Sequence, residues 1–234
     1  MSAARMVDVA WPTQEADLVA LQAELAEAPP RAWSPPGRVV LGASYVCFAR
    51  GAPTPGAAGD AGWAGAAVKR PGRRAVTAVV AGPAGAAYRP GLLALREGPL
   101  RAAALAALEA LPDVALVDAT GRDHPRRAGL ALHLGAVLDV PTVGVTDRPL
   151  VAAGAWPADR RGAAAPLLAA GELVGYWLRT RPGVRPLAVH AAWRTDADSA
   201  VEVVLAAARR ARTPQPLREA RRDARAARGQ SSAG

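Results

Sequence analysis

One cysteine, Cys47, stands in 234 residues, so an intramolecular disulfide framework is excluded and a structural zinc site built on thiolates has no ligands to draw on. Aromatic residues make up only 4% of the chain, with a single phenylalanine, which argues against a Phe-rich β-sandwich. Lysine is nearly absent as well: Lys69 is the only one, so almost all the positive charge is carried by arginine. No uninterrupted apolar stretch is long enough to span a bilayer, and the opening MSAARMVDVAWPT lacks a basic segment followed by an apolar run and a small-residue cleavage site. These absences lead to the expectation of a reduced, cytoplasmic protein with no membrane partner.

What is present is apolar but small. Hydrophobic residues reach 51%, dominated by Ala, Val and Leu, enough for one core of closely packed helices on a sheet. The net charge is +9. Residues 209–234 hold eight Arg against Glu219 and Asp223, so much of the basicity falls at the C-terminal end. Arginine suits phosphate partners, DNA or RNA, yet the same composition also describes a solvated alkaline surface.

Along the chain, residues 14–28 place Leu18, Leu21 and Leu25 on one face and read as an amphipathic helix ended by Pro29 and Pro30. RVVLGASYVCFARG at 38–51 reads as a buried strand and 52–62 as a Gly/Pro-rich loop. Segments 64–68 and 75–80 flank a Pro71-Gly72 turn and read as a hairpin. Helix over 100–111, strand over 114–118, helix over 127–138 and strand over 142–146 then alternate; strands over 173–180 and 186–190 follow, with a helix over 198–208 that Thr195 or Asp196 can cap. The pattern predicts an α/β mixed β-sheet flanked by helices on both faces, a single domain over 1–208, and an Arg-rich, disordered tail over 209–234.

Two acids stand at element ends. Glu97 lies in YRPGLLALREGP, and Asp118 ends the apolar run VALVD before ATGRDHPRR. A pair of carboxylates at strand or helix ends can hold Mg²⁺ beside a phosphate; the alternative is two solvated loop acids. Gly121 permits close backbone approach, and His124, Arg126 and Arg127 offer an imidazole and two guanidiniums near a helix start, groups that suit a phosphodiester or, alternatively, simple capping and solvation.

Three blocks, YRPGLLALREGP, VDATGRDHPRRAGLALHLGAVLDVPTVGV and GELVGYWLRTRPGVRPLAV, resemble in order the corresponding blocks of endonuclease V. The resemblance implies a ribonuclease H-like fold and a monomeric repair nuclease that uses Mg²⁺ or Mn²⁺ to cut a strand near inosine. On it, Glu97 and Asp118 match metal-binding acids, Tyr88 and Pro90 the wedge that separates strands, and Gly121 and His124 the loop beside the lesion; a Tyr ring can replace lost stacking around an extruded base.

Departures from the family pattern are equally specific. Ser44 stands where the family has an aspartate, Asp147 where it has a lysine, and Trp193 where it has a histidine. A candidate compensation is Asp147 as a third carboxylate with Arg148 supplying positive charge. The sequence therefore leads to the expectation of an inosine-recognising protein with weak metal loading and impaired cleavage, the alternative being a non-catalytic nucleic-acid-binding homologue.

Overall fold

A computed structural model describes residues 11–27, 32–51 and 55–231. Strands β1 (Leu41–Phe48), β2 (Ala61–Lys69) and β3 (Val76–Pro83) form an antiparallel meander. β1 and β2 are buried almost throughout, and β2 is built mostly of Ala, Gly and Val, because helices cover both of their faces. β3 alternates between exposed and half-buried positions, as befits an edge.

Beyond the meander, β4 (Val114–Val117) joins β1 in parallel and β5 (Thr142–Thr146) joins β4 in parallel. The strands β6 (Ala164–Ala169), β7 (Glu172–Leu178) and β8 (Leu187–Ala191) add antiparallel, giving one eight-stranded sheet ordered β3-β2-β1-β4-β5-β8-β7-β6.

Helices α1 (Glu15–Glu27), α2 (Leu93–Ala106) and α3 (Leu130–Leu138) cover one face, where Leu18, Leu25, Leu105 and Leu134 pack over Val46, Ala66 and Val117. α4 (Ala197–Ala207) and α5 (Gln215–Ser231) cover the other, with Val203, Val204 and Leu217 over Ala43, Leu116 and Val143. β1 thus divides its side chains by parity: Tyr45 and Cys47 face α5, and Val46, with Ser44 on the same parity, faces the side of α1–α3. The Asp196 carboxylate caps α4 by accepting from the Ser199 N–H (2.7 Å), as the sequence suggested.

Three elements differ from the sequence reading. α2 begins at Leu93 and carries Pro99 inside it. The proline removes the N–H that would bond the Leu95 carbonyl, and Gly85 closes on that spot: a Cβ there would lie 2.2 Å from the Leu95 oxygen, while the Gly85 N–H donates to the Arg96 carbonyl at 3.1 Å. β6 was not expected at all, since AAPLLA carries a proline tolerable only at a sheet edge. Most consequentially, the supposed tail is helix α5, whose Ala220 and Ala224 seat on Tyr45, Cys47, Trp63 and Ala67 while Leu217 joins the core under α4. Gly65 makes this approach feasible, because a Cβ there would come within 2.3 Å of the Ala220 carbonyl oxygen. The expected helix end at Pro29-Pro30 and the start of the 52–62 loop lie outside the described residues.

Candidate nucleic-acid cleft

Beyond the carboxyl ends of β4 and β5 a cleft of about 320 Å³ opens, lined among others by Tyr88, Pro90, Asp118, His124 and Arg148. That is the end of a partly parallel sheet at which ligand sites collect, and the volume lies near the lower limit of small-molecule sites, about 300–1,000 Å³. Tyr88, 41% exposed, stands at the rim. Tyr88, Pro90, Asp118 and His124, singled out in the sequence, thus line one cleft.

The cleft wall is braced by hydrogen bonds. His124 is buried; its Nδ1 accepts from the Arg126 N–H (3.1 Å), so its Nε2–H donates to the Gly91 carbonyl (3.1 Å). Burial lowers its pKa to about 4, leaving a neutral ring. Both nitrogens being engaged, the expected catalytic imidazole is a brace between two loops. Arg126 is likewise turned inward, donating to Gln22 Oε1 (2.6 Å) and the Gly91 carbonyl (2.8 Å). Arg127, held at φ 59°, donates to the Ala169 carbonyl at 3.1 Å and pairs with Glu172. Neither guanidinium is free in the way a phosphate-binding role requires. Gly121 packs against β8, where a Cβ would lie 2.1 Å from the Ala191 oxygen, so it serves packing; Gly91, at φ +77°, is the glycine that lines the cleft.

Asp123, in the loop after β4, is fully buried. Its carboxylate accepts from the N–H groups of Leu150 (2.6 Å), Val151 (2.9 Å) and Ala152 (2.7 Å), pinning the segment after β5 that carries Arg148 into the cleft wall.

The acids converge, but around an unforeseen group. Arg101, one helical turn after Glu97 on α2, donates from Nε (2.9 Å) and Nη2 (2.7 Å) to Glu97 Oε2. The same guanidinium donates to the carbonyls of Ser44 (2.9 Å) and Asp118 (3.3 Å). It is buried, as is Glu97. Burial raises the Glu97 pKa, Arg101 opposes that rise, and the charge of Asp118 adds to it, which registers how near the two acids lie. The Asp118 carboxylate meets Arg221 of α5 at 3.3 Å.

The substituted positions fall as follows. Ser44 is wholly buried and its Oγ has no hydrogen-bond partner among the described residues. Asp147 points away and pairs with Arg212 at 2.6 Å. Trp193 packs at the edge of the α1–α3 core with its indole N–H unpartnered among the described residues, and it does not line the cleft.

A sequence profile of endonuclease V matches residues 57–222. The chain belongs to the endonuclease V family. Endonuclease V of Nocardia farcinica is 46% identical over 153 residues, 64% of this chain and 66% of that protein, so the alignment spans just under two thirds of the curated relative. The crystal structure of endonuclease V from Streptomyces avermitilis superposes with a TM-score of 0.83 at 35% identity, covering 95% of this chain and 96% of that one. Endonuclease V of Ciona intestinalis, crystallised with a 24mer DNA containing an inosine followed by a ribo-adenosine, shares the fold at a TM-score of 0.77 and 21% identity, covering 92% and 97%. The fold is ribonuclease H-like, as the resemblance implied.

Endonuclease V nucleases generally use divalent metal ions. The residues here do not fit one. Glu97 is neutralised by a buried guanidinium, Asp118 is engaged by Arg221, Ser44 offers an uncharged hydroxyl, and Asp147 is directed elsewhere. Among the described residues no group of three or more His, Cys, Asp or Glu side chains could hold a metal. Arg101 escaped the sequence reading, although its spacing from Glu97, an acid followed four residues later by a base on one helix face, was the available signal.

Proposed function

We propose that this chain recognises deaminated, inosine-type nucleotides in DNA or RNA through the cleft beside Tyr88, and that its phosphodiester cleavage is impaired or lost. The observation that carries the second half is the position of Arg101, a fixed monovalent cation between Glu97, Ser44 and Asp118. Hydrolysis of a phosphodiester needs a positioned water and stabilisation of charge developing on the phosphoryl and leaving oxygens. A guanidinium whose N–H groups already point to a carboxylate and two carbonyls has little left to offer either task. Loss of one such preorganised group costs about a hundred- to a thousandfold in rate.

Recognition has better support. The exposed ring of Tyr88 can stack on the neighbours of an extruded base, worth about 1–3 kcal/mol per base. Pro90 and Gly91 line the cleft without intruding on it, and neutral His124 holds that loop still. The inosine-containing DNA bound by the Ciona relative is consistent with this assignment.

The test pairs binding with nicking. Fluorescence anisotropy should show preference for an inosine-bearing oligonucleotide over its adenosine counterpart, and Tyr88→Ala should abolish that preference. In a nicking assay with Mg²⁺, the parent should be inert or slow, and the combined Ser44→Asp, Arg101→Leu, Asp147→Lys, Trp193→His variant should gain activity. Parent nicking at full rate that Glu97→Gln stops would reject the impaired-cleavage reading; equal affinity for both strands would reject the recognition reading.

A further inference from the structure

The arginines singled out in the sequence as phosphate binders, Arg126 and Arg127, are engaged by other groups of the chain, Arg126 by Gln22 and the Gly91 carbonyl and Arg127 by Glu172 and the Ala169 carbonyl. A groove of about 870 Å³ on the α4–α5 face gathers other cations. Its walls carry Arg38 from the segment before β1, Lys69 from the end of β2 and Arg70 from the turn after it, Arg209 and Arg210 from the α4–α5 connection, and Arg218 from the first turns of α5. Glu202 is the single acid among the lining residues.

Four segments distant in sequence therefore deliver six cations to one trough. Ion pairs occupy many other arginines: Arg89, Arg96, Arg101, Arg127, Arg179, Arg194, Arg212, Arg221 and Arg222 each meet a carboxylate. Arg38, Arg70, Arg209, Arg210 and Arg218 have no side-chain partner among the described residues, and Arg38, Arg209, Arg210 and Arg218 are exposed. Lys69 differs in kind: its ammonium donates to the carbonyls of Arg70 and Arg73 and so fixes the turn that presents Arg70.

Like charges held this close repel one another, and each long side chain retains its rotamer entropy, so the cluster contributes nothing to folding that would explain it. Guanidiniums with open forks, gathered along a trough, match a ligand with repeated anionic oxygens.

We propose that this groove is a second nucleic-acid site, which holds the sugar–phosphate backbone without regard to sequence and acts apart from the cleft at the ends of β4 and β5. The site contributes affinity and salt dependence, while discrimination between bases belongs to the cleft. Its order of magnitude follows from counterion release: five guanidiniums on a single strand give a slope of log affinity against log salt of about −3.5.

The experiment uses the full chain and two fluorescein-labelled single-stranded oligonucleotides, one with inosine and one without. Reversing Arg70, Arg209 and Arg210 to Glu should weaken both at least tenfold at low salt and flatten the salt slope by about 2 units. Any residual inosine preference should be unchanged, and the thermal midpoint should stay the same or rise as repulsion is relieved. Tyr88→Ala should do the opposite, removing inosine preference while leaving the salt slope intact, so failure of the cleft reading and failure of this one are separable. Unchanged affinity in the folded triple variant would overturn the proposal. So would competition by polyglutamate as effective as that by unlabelled oligonucleotide at equal charge, which would assign the groove to an acidic protein.

Discussion

A buried guanidinium and a divalent ion can neutralise the same carboxylate, yet only the ion can exchange ligands and draw a water and a phosphate oxygen into contact. Arg101 is locked by Glu97 and by two backbone carbonyls, so the charge balance of the centre is met from within the chain. Removing one partner of such a pair strands the other in a poor solvent. Arg101→Met should cost about 3–5 kcal/mol in urea unfolding, and adding Glu97→Gln should recover much of that loss, whereas a double variant whose loss equals the summed losses of the two single variants would show that the pair is not coupled. His133 offers a second residue-scale check. It is wholly buried, stacks on Trp11 at 4.4 Å, and neither ring nitrogen has a partner among the described residues. Burial lowers its pKa from 6.5 to about 4. The unfolded chain therefore binds the proton more tightly, and the stability held above pH 6.5 drains away as pH falls toward 4, by about 3 kcal/mol for this group. His133→Leu should flatten the stability profile between those limits; parallel urea midpoints at pH 7 and pH 5 for parent and variant would refute the assignment. At this scale the sequence disclosed which residues gather at the cleft, namely Tyr88, Pro90, Asp118 and His124. It did not disclose their hydrogen bonds: a histidine beside two arginines reads as catalytic until its ring nitrogens are seen bonded to backbone.

Among the elements, α5 departs furthest from expectation. Its apolar stripe is only Leu217, Ala220 and Ala224, submerged in arginine, and a composition reading sees a solvated tail. The helix is stable because small residues meet small residues: Gly65 on β2 leaves room for the Ala220 backbone, and Arg221 closes the contact by reaching Asp118 and lying over Tyr45 at 5.0 Å. Gly65→Leu should push α5 off the sheet and cost about 1–3 kcal/mol, read from the denaturant midpoint. Limited trypsin digestion gives an independent reading. Despite its many arginines, α5 should be cut no faster than the domain unfolds, and rapid trimming at Arg218 or Arg221 under native conditions would restore the disordered-tail description. The strands were more legible. Val114–Val117 is a fully apolar run and Thr142–Thr146 sets valine and glycine between two threonines; both have turn residues at their ends and are buried on two faces as parallel strands are, close to the bounds read. α2 was read short because Pro99 ordinarily stops a helix, and only the tertiary contact from Gly85 makes its early start tolerable.

For the molecule as a whole, the sheet order sets the division of labour. Parallel β1, β4 and β5 put Ser44, Asp118 and the residues after Thr146 at one end, where the cleft opens, and α2 brings Glu97 and Arg101 over them. The other face, beneath α4 and α5, is left to a basic groove. If Arg101 has taken over the charge-balancing role of a divalent ion, electron paramagnetic resonance of Mn²⁺ reads it directly. Titrating Mn²⁺ into the parent chain should leave the free-ion spectrum undiminished into the millimolar range, while Ser44→Asp with Arg101→Leu should bind the ion and broaden its signal. Binding by the parent that disappears in Glu97→Gln would contradict the account.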